Sequence, residues 1–180
     1  MIRITQDITT EPVTIADVKQ FIKFSATDVA ETSLIEDMIK GARVYLEQRT
    51  GLALAQKTFI EYFNKEYLNS YTLSIAPIIS VDAVAVLDIE EAETAKTLND
   101  GYYLRGLYER ELLIEIAEIS QLKVTYKAGY GETETEDLPM DIKQAILRQV
   151  LQWYDNRDEF INGTYMDQIG DIIRMYNRKW

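Results

Sequence analysis

The chain has 180 residues, 47% of them hydrophobic, enough to bury a core of its own. It contains no cysteine and no histidine, which excludes disulfides, His/Cys zinc sites, Ser-His-Asp and Cys-His catalysis and histidine acid–base chemistry. Thirty acidic against nineteen basic residues leave a net charge of −11, which repels nucleic acid and anionic membrane and argues against a DNA-reading module.

No stretch approaches the roughly 18 apolar residues of a membrane helix, and Met1-Ile2-Arg3 does not lead into a signal-peptide hydrophobic run. The expected place of synthesis and folding is therefore the host cytoplasm, with no membrane partner. Residues 1–13 read as an extended lead-in, because Pro12 disfavours helix at Glu11. Thr14, with Asp17 three residues on, predicts an N-cap and a short helix with Ile15, Val18, Phe21 and Ile22 on one face. Ser33 with Glu36 predicts a second cap, followed by a stripe of Leu34, Ile35, Met38, Ile39, Ala42, Tyr45 and Leu46 that Gly51 closes.

From Lys57 to Ala128 the hydrophobic period shortens to that of strands. Alternation at Thr58–Phe63 and Tyr71–Ile75, the apolar run Val81–Leu87, and Tyr102–Leu104, Glu111–Ile116 and Leu122–Ala128 predict about six strands. Turn signals stand at Asn64–Ser70, Pro77, Asn99-Asp100-Gly101 and Gly106, and no helical pattern separates the strands. An antiparallel sheet or small barrel follows. The acidic run Asp88–Glu93 reads as an exposed hairpin loop.

Gly129 and Gly131 end the last strand, and Asp137 and Pro139 open a helix to Arg157 carrying Ile142, Ala145, Ile146, Val150, Trp153 and Tyr154. This helix is expected to pack on the one that ends near Gly51. Beyond Asn162-Gly163, a final helix from Tyr165 to Tyr176 places Met166, Ile169, Ile172, Ile173 and Tyr176 on one side. It ends in Arg174, Arg178, Lys179 and Trp180, a basic tip on an acidic protein. The fold class read from these elements is α+β in a single domain, 1–180. Its N-terminal helix pair and C-terminal helices form a small bundle over 14–51 and 138–177, with an antiparallel β insertion at 57–128.

Three clusters invite chemistry. Asp137 and Asp141, with Glu132, Glu134 and Glu136 upstream, have the donor type of a hard-cation site but match no calcium-loop spacing; a solvated loop favouring the helix N-terminus is the simpler reading. Gly129-Tyr130-Gly131 lacks the Lys-Ser/Thr of a phosphate loop and reads as a backbone turn. Glu61 and Glu115 could be drawn as a glycosidase pair, although nothing in the sequence fixes their separation. No catalytic residue, metal or cofactor is assigned. Twelve tyrosines, among them Tyr102, Tyr103, Tyr108, Tyr126, Tyr130, Tyr154, Tyr165 and Tyr176, suit a protein that makes contacts, with about half serving the core.

The run VTYKAGYG, an acidic spacer and LPMDIKQAILRQVLQWYDNRDEF resembles the signature of tailed-phage head–tail connector proteins, also called head completion or adaptor proteins. EPVTIADVKQFIKF, the helix ending YLEQRTG and LSIAPIISVDAVAVLD resemble that family's other segments, in the same order. The resemblance implies a virion protein at the head–tail junction that forms a ring of about twelve copies beneath the portal. Such a ring extends the DNA channel without reading sequence and offers a docking surface to a neck or tail protein. On that reading Ile169, Ile172, Ile173, Arg174, Tyr176, Arg178, Lys179 and Trp180 are candidates for a detachable portal-contacting helix. Glu132, Glu134, Glu136, Asp88, Glu90 and Glu91 are candidates to face the channel. Rival readings are an acidic metal-dependent phosphodiester enzyme and an acidic regulator of a basic protein.

Overall fold

The computed structural model describes residues 2–6, 8, 10–22, 29–64, 69–90, 92–106, 111–115, 120–131, 138–156 and 169–176. Helices and antiparallel strands segregate into an α+β fold whose chain falls into two compact units, one of residues 1–8 and 55–135, the other of 9–54 and 136–180.

The first unit is built on β strands. β1 (Ile2–Gln6), β2 (Lys57–Asn64), β4 (Ile78–Leu87), β5 (Glu93–Lys96) and β8 (Gln121–Ala128) form a five-stranded sheet in the order β1-β2-β8-β4-β5. β3 (Ser70–Thr72), β6 (Tyr103–Arg105) and β7 (Glu111–Leu113) form a second sheet in the order β3-β7-β6. Every strand pair is antiparallel. The eight strands exceed the six expected: β5, Glu93–Lys96, carries a single apolar residue and so gave no strand signal. The lead-in also proves to be a strand, its Ile2 and Ile4 registered on Glu61 and Phe59.

β8 is the centre of this unit. Leu122, Val124, Tyr126 and Ala128 are fully buried while the residues between them are not, as a strand with one packed face requires. Phe59 stacks on Tyr126 across the β2–β8 pair at 5.6 Å, and Phe63 meets Tyr71 edge-on at 5.5 Å, which carries the core from the large sheet to the small one.

The second unit is helical: α1 (Ile15–Ile22), α2 (Val29–Thr50), α3 (Met140–Asp155) and α4 (Gly170–Tyr176). Thr14 and Asp17 form the expected reciprocal cap on α1, with the Thr14 N–H donating to the Asp17 carboxylate at 2.9 Å and the Asp17 N–H to the Thr14 hydroxyl at 3.1 Å. Ser33 and Glu36 cap nothing, because α2 begins a turn earlier, at Val29. The segment Ala30-Glu31-Thr32 continues the helix, and Tyr154 on α3 donates to Glu31 at 2.6 Å. Leu34 accordingly lies off the buried stripe and is exposed, whereas Ile35, Ile39, Ala42 and Leu46 are buried.

α2 packs on α3, where Ile142, Ala145, Ile146 and Val150 are buried. Trp153 closes this seam: its indole lies edge-on to Tyr45, and a Cβ on Gly41 would stand 3.1 Å from its ring. Gly41 thus gives the indole its seat. α3 starts one residue after Pro139, which occupies the cap position rather than the first helical turn and makes no side-chain cap bond. Gly51, at φ 75°, terminates α2 as expected, its N–H donating to the Glu47 carbonyl at 3.0 Å.

Candidate functional site

The residues singled out for a portal contact run from Ile169, just before α4, through α4 and beyond it, and α4 is docked on α2 and α3 rather than detached. Ile169 and Ile173 are buried, so two of the five residues of the apolar stripe are already occupied within the helical unit. Tyr176 donates its hydroxyl to Asp141 at 2.8 Å, tying the end of α4 to the first turn of α3. Ile172 is half-buried; Arg174 is exposed and pairs with Asp171 at 2.5 Å. Met175 is 76% exposed and Met140 68%, each adjacent in sequence to one partner of the Asp141–Tyr176 bond. Arg178, Lys179 and Trp180 fall outside the described residues.

Of the acidic residues assigned to a channel, Asp88 and Glu90 are described, and both are exposed in the turn between β4 and β5. Asp88 builds that turn: its carboxylate accepts from the N–H groups of Glu90 at 2.9 Å and Ala92 at 3.0 Å, while its own N–H donates to the Ala92 carbonyl. Ile89 is held at the tip, 70% exposed. Glu91, Glu132, Glu134 and Glu136 lie outside the described residues.

The three chemical clusters resolve into structure. Asp141 offers one oxygen to the Ile142 N–H and the other to Tyr176, and Asp137 is outside the described residues. Among the described residues no group of three or more acidic side chains is gathered as a metal ion would need. Glu61 is buried, accepting from the Ser74 N–H at 3.1 Å, the Ser74 hydroxyl and the Tyr126 hydroxyl at 3.0 Å, while Glu115 is exposed. Gly129 has φ 130°, and a Cβ there would stand 2.2 Å from the Ala55 carbonyl oxygen, so two backbone segments meet where only glycine fits. Its N–H donates to the Pro77 carbonyl, as the turn reading requires.

Of the tyrosines, Tyr102, Tyr126 and Tyr130 are core and Tyr103 is 57% exposed; Tyr154 and Tyr176 spend their hydroxyls on Glu31 and Asp141, and Tyr108 and Tyr165 lie outside the described residues. Burial pushes the Tyr102 hydroxyl pKa up. The Lys123 ammonium is held protonated to higher pH by Glu93, 2.5 Å away on the far side of β4.

Sequence reading missed the polar clamp of the helical unit. Arg43, buried on α2, donates to Glu11 at 2.8 Å and to Glu47 at 2.9 Å, and Glu47 accepts from the Leu54 N–H at 3.0 Å. One guanidinium thereby fixes both the segment entering α1 and the segment leaving α2. The i,i+4 spacing of Arg43 and Glu47 was the available signal.

The head completion protein family matches residues 11–165. The chain belongs to that family. No curated protein matches it. Among solved structures it is similar to a chain in the neck of an empty gene transfer agent particle computed with C6 symmetry, at 19% identity and a TM-score of 0.79, covering 98% of this chain and 95% of that one. A chain in the virion of the native particle matches at 20% identity with the same score and coverage. One in the neck of the native particle computed with C12 symmetry matches at 20% identity and 0.74, covering 98% and 94%. The fold is thus shared along nearly the whole length of this head completion protein.

Proposed function

We propose that this head completion protein is a structural connector at the head–tail junction of a phage-like particle, assembled as a ring beneath the portal. There it extends the DNA channel and presents the docking surface for the next neck or tail protein. The observation that carries the reading is the family match across residues 11–165. A fold shared with chains of symmetric necks, and a sequence that excludes histidine and cysteine catalysis, support it. The role is non-enzymatic. A net charge of −11 suits a conduit, since a negatively charged wall leaves DNA unbound and free to slide.

The portal contact belongs to the outward side of α4, Ile172, Arg174 and Met175, with Arg178, Lys179 and Trp180 following. Ile169, Ile173 and Tyr176 support it from within. The channel candidates are Asp88, Glu90, Glu91, Glu132, Glu134 and Glu136, a subset of which faces the lumen. Removing the gene from the producing element should leave DNA-filled heads without tails; normal tailed particles would refute the connector role. Deleting residues 177–180 spares α4 and should weaken portal capture, whereas unchanged capture removes Arg178, Lys179 and Trp180 from the contact. Lysine at Asp88, Glu90 and Glu91 together should preserve rings and slow DNA delivery; equal infectivity would take this loop off the channel wall.

A further inference from the structure

The five-stranded sheet ends in two strands that are open among the described residues, β1 and β5, and the two are complementary. On β1, Ile2 and Ile4 continue the packed face of the sheet, being registered on buried Glu61 and Phe59, yet they are 41% and 48% exposed. The apolar row therefore runs to the last strand and stops in solvent. Proteins commonly blunt such edges with proline, inward-pointing charge or a bulge. Here the only irregularity is a register shift between Ile4 and Gln6, which leaves Ile2–Ile4 straight.

On β5, Glu93, Thr94 and Ala95 are exposed. Pairing through β4 and β8 sets Thr94 and Lys96 on the packed side, in line with Val86 and Val84, and Glu93 and Ala95 on the other, where Glu93 meets Lys123. Arg3 lies on this second side of β1, opposite to Ile2 and Ile4. The two edges thus carry opposite charges on the same face of the sheet, and the Glu93 side chain is still half exposed after pairing with Lys123.

Direction settles how they meet. With five strands and antiparallel pairing throughout, the two edge strands run the same way. A neighbour placed by a small rotation, as in any many-membered ring, keeps that direction, so its β1 joins β5 in parallel. A two-fold dimer through β1 would be antiparallel and would set Arg3 near the Arg3 of its copy. Only contacts between two different patches close rings of more than two members.

We propose that the occupant of the β1 edge is the β5 strand of a second copy of this chain, paired in parallel with Arg3 beside Glu93 and Ile4 beside Thr94, so that the sheet continues from subunit to subunit around the ring. The proposal rests on the ring reading above and names the surfaces that make it. Strand addition of this kind takes its affinity from main-chain hydrogen bonds and its register from the flanking side chains.

The chain has no cysteine, which makes disulfide trapping clean. Neighbouring strands lie about 4.8 Å apart, within the roughly 4.4–6.8 Å between Cα atoms that a disulfide spans. Rings of full-length Ile4→Cys/Thr94→Cys, assembled reduced and then oxidised, should give a ladder of linked oligomers on a denaturing gel. Either single variant should stay monomeric. Arg3→Cys/Glu93→Cys tests the same register on the opposite face if the first pair does not assemble. Intact rings with no linkage from either pair would overturn the edge contact and leave the ring standing. Linked dimers from Ile4→Cys alone would overturn it in favour of the two-fold pairing. If the unsubstituted chain forms no ring, alone or on its portal, the connector reading falls and this contact with it.

Discussion

The helical unit and the β unit use polar groups in opposite ways. In the helical unit several polar side chains tie one segment to another: Glu11 to Arg43, Glu47 to the Leu54 N–H, Asp17 to Lys143 at 3.1 Å, Glu31 to Tyr154, and Asp141 to Tyr176. The β unit concentrates its internal polar work on Glu61 and leaves two strand edges and the acidic β4–β5 turn facing outward. On the edge contact proposed above, the copies would meet through the β unit, while the cross-linked helices would hold their own packing. The proposed ring would need both, because a soft subunit cannot hold a fixed angle to its neighbours.

The largest effect is expected where the β unit is least tolerant. Gly129→Ala forces a side chain into a conformation that costs about 1–3 kcal/mol and against a backbone oxygen, with overpacking of about 1–3 kcal/mol more. Chemical denaturation should show most of the unit's stability lost, and a wild-type midpoint would mean that the Ala55 segment can retreat. In the helical unit, Ile146→Ala or Leu46→Ala should each cost about 2–5 kcal/mol, since both lie buried at the α2–α3 seam. Unchanged midpoints for both would discard that seam as the centre of the unit.

Tyr126→Phe is a sharper probe of the β unit. It leaves ring stacking on Phe59 in place and removes one donor from buried Glu61, at about 1–3 kcal/mol for a group left short of a partner. The matching probe on the helices, Tyr176→Phe, should cost only about 0.5–1.5 kcal/mol. Amide exchange should then rise across α4 and stay slow in α3; equal protection in both would show that Asp141 does not hold α4.

The smallest effect is a pH dependence. The Asp17 carboxyl titrates below its ordinary 3.8 because the Thr14 backbone N–H and hydroxyl donate to it, with Lys143 adding to this. A depressed folded pKa gives stability that is complete above the unfolded value and is lost as pH falls through the folded one. Wild type should therefore weaken below about pH 3.8 more steeply than Asp17→Asn. Parallel acid profiles would remove Asp17 from the acid response.

Elements with a sustained period were legible in the sequence. The α3 stripe, the alternation of β8 and the Thr14–Asp17 cap all stand where residue spacing puts them, because each is decided by local geometry. What escaped has a non-local cause. β1 is a strand because β2 is beside it, β5 because β4 is, and α2 starts early, at Val29, in the turn where Tyr154 reaches Glu31. The terminal helix was legible as amphipathic, but amphipathicity states only that a partner exists. Burial of Ile169 and Ile173 shows that part of that partner is the chain itself. The open edges were invisible for the same reason as β1: an edge is defined by what a strand lacks as a neighbour.

Glu61 gives the sheet a means of rejecting its own errors. β2 and β8 pair over eight positions with alternating burial, so sliding one strand by two residues would keep apolar side chains on the packed face and cost little in hydrophobic contact. Such a slip shifts the Glu61 carboxyl relative to the Tyr126 hydroxyl and costs the buried bond between them. The misaligned strand pair is thereby penalised at one position rather than along its length, and the correct alignment becomes the one that the polar chemistry can complete. In the proposed ring such proofreading would matter more, since one shifted strand would displace the edge offered to the next copy.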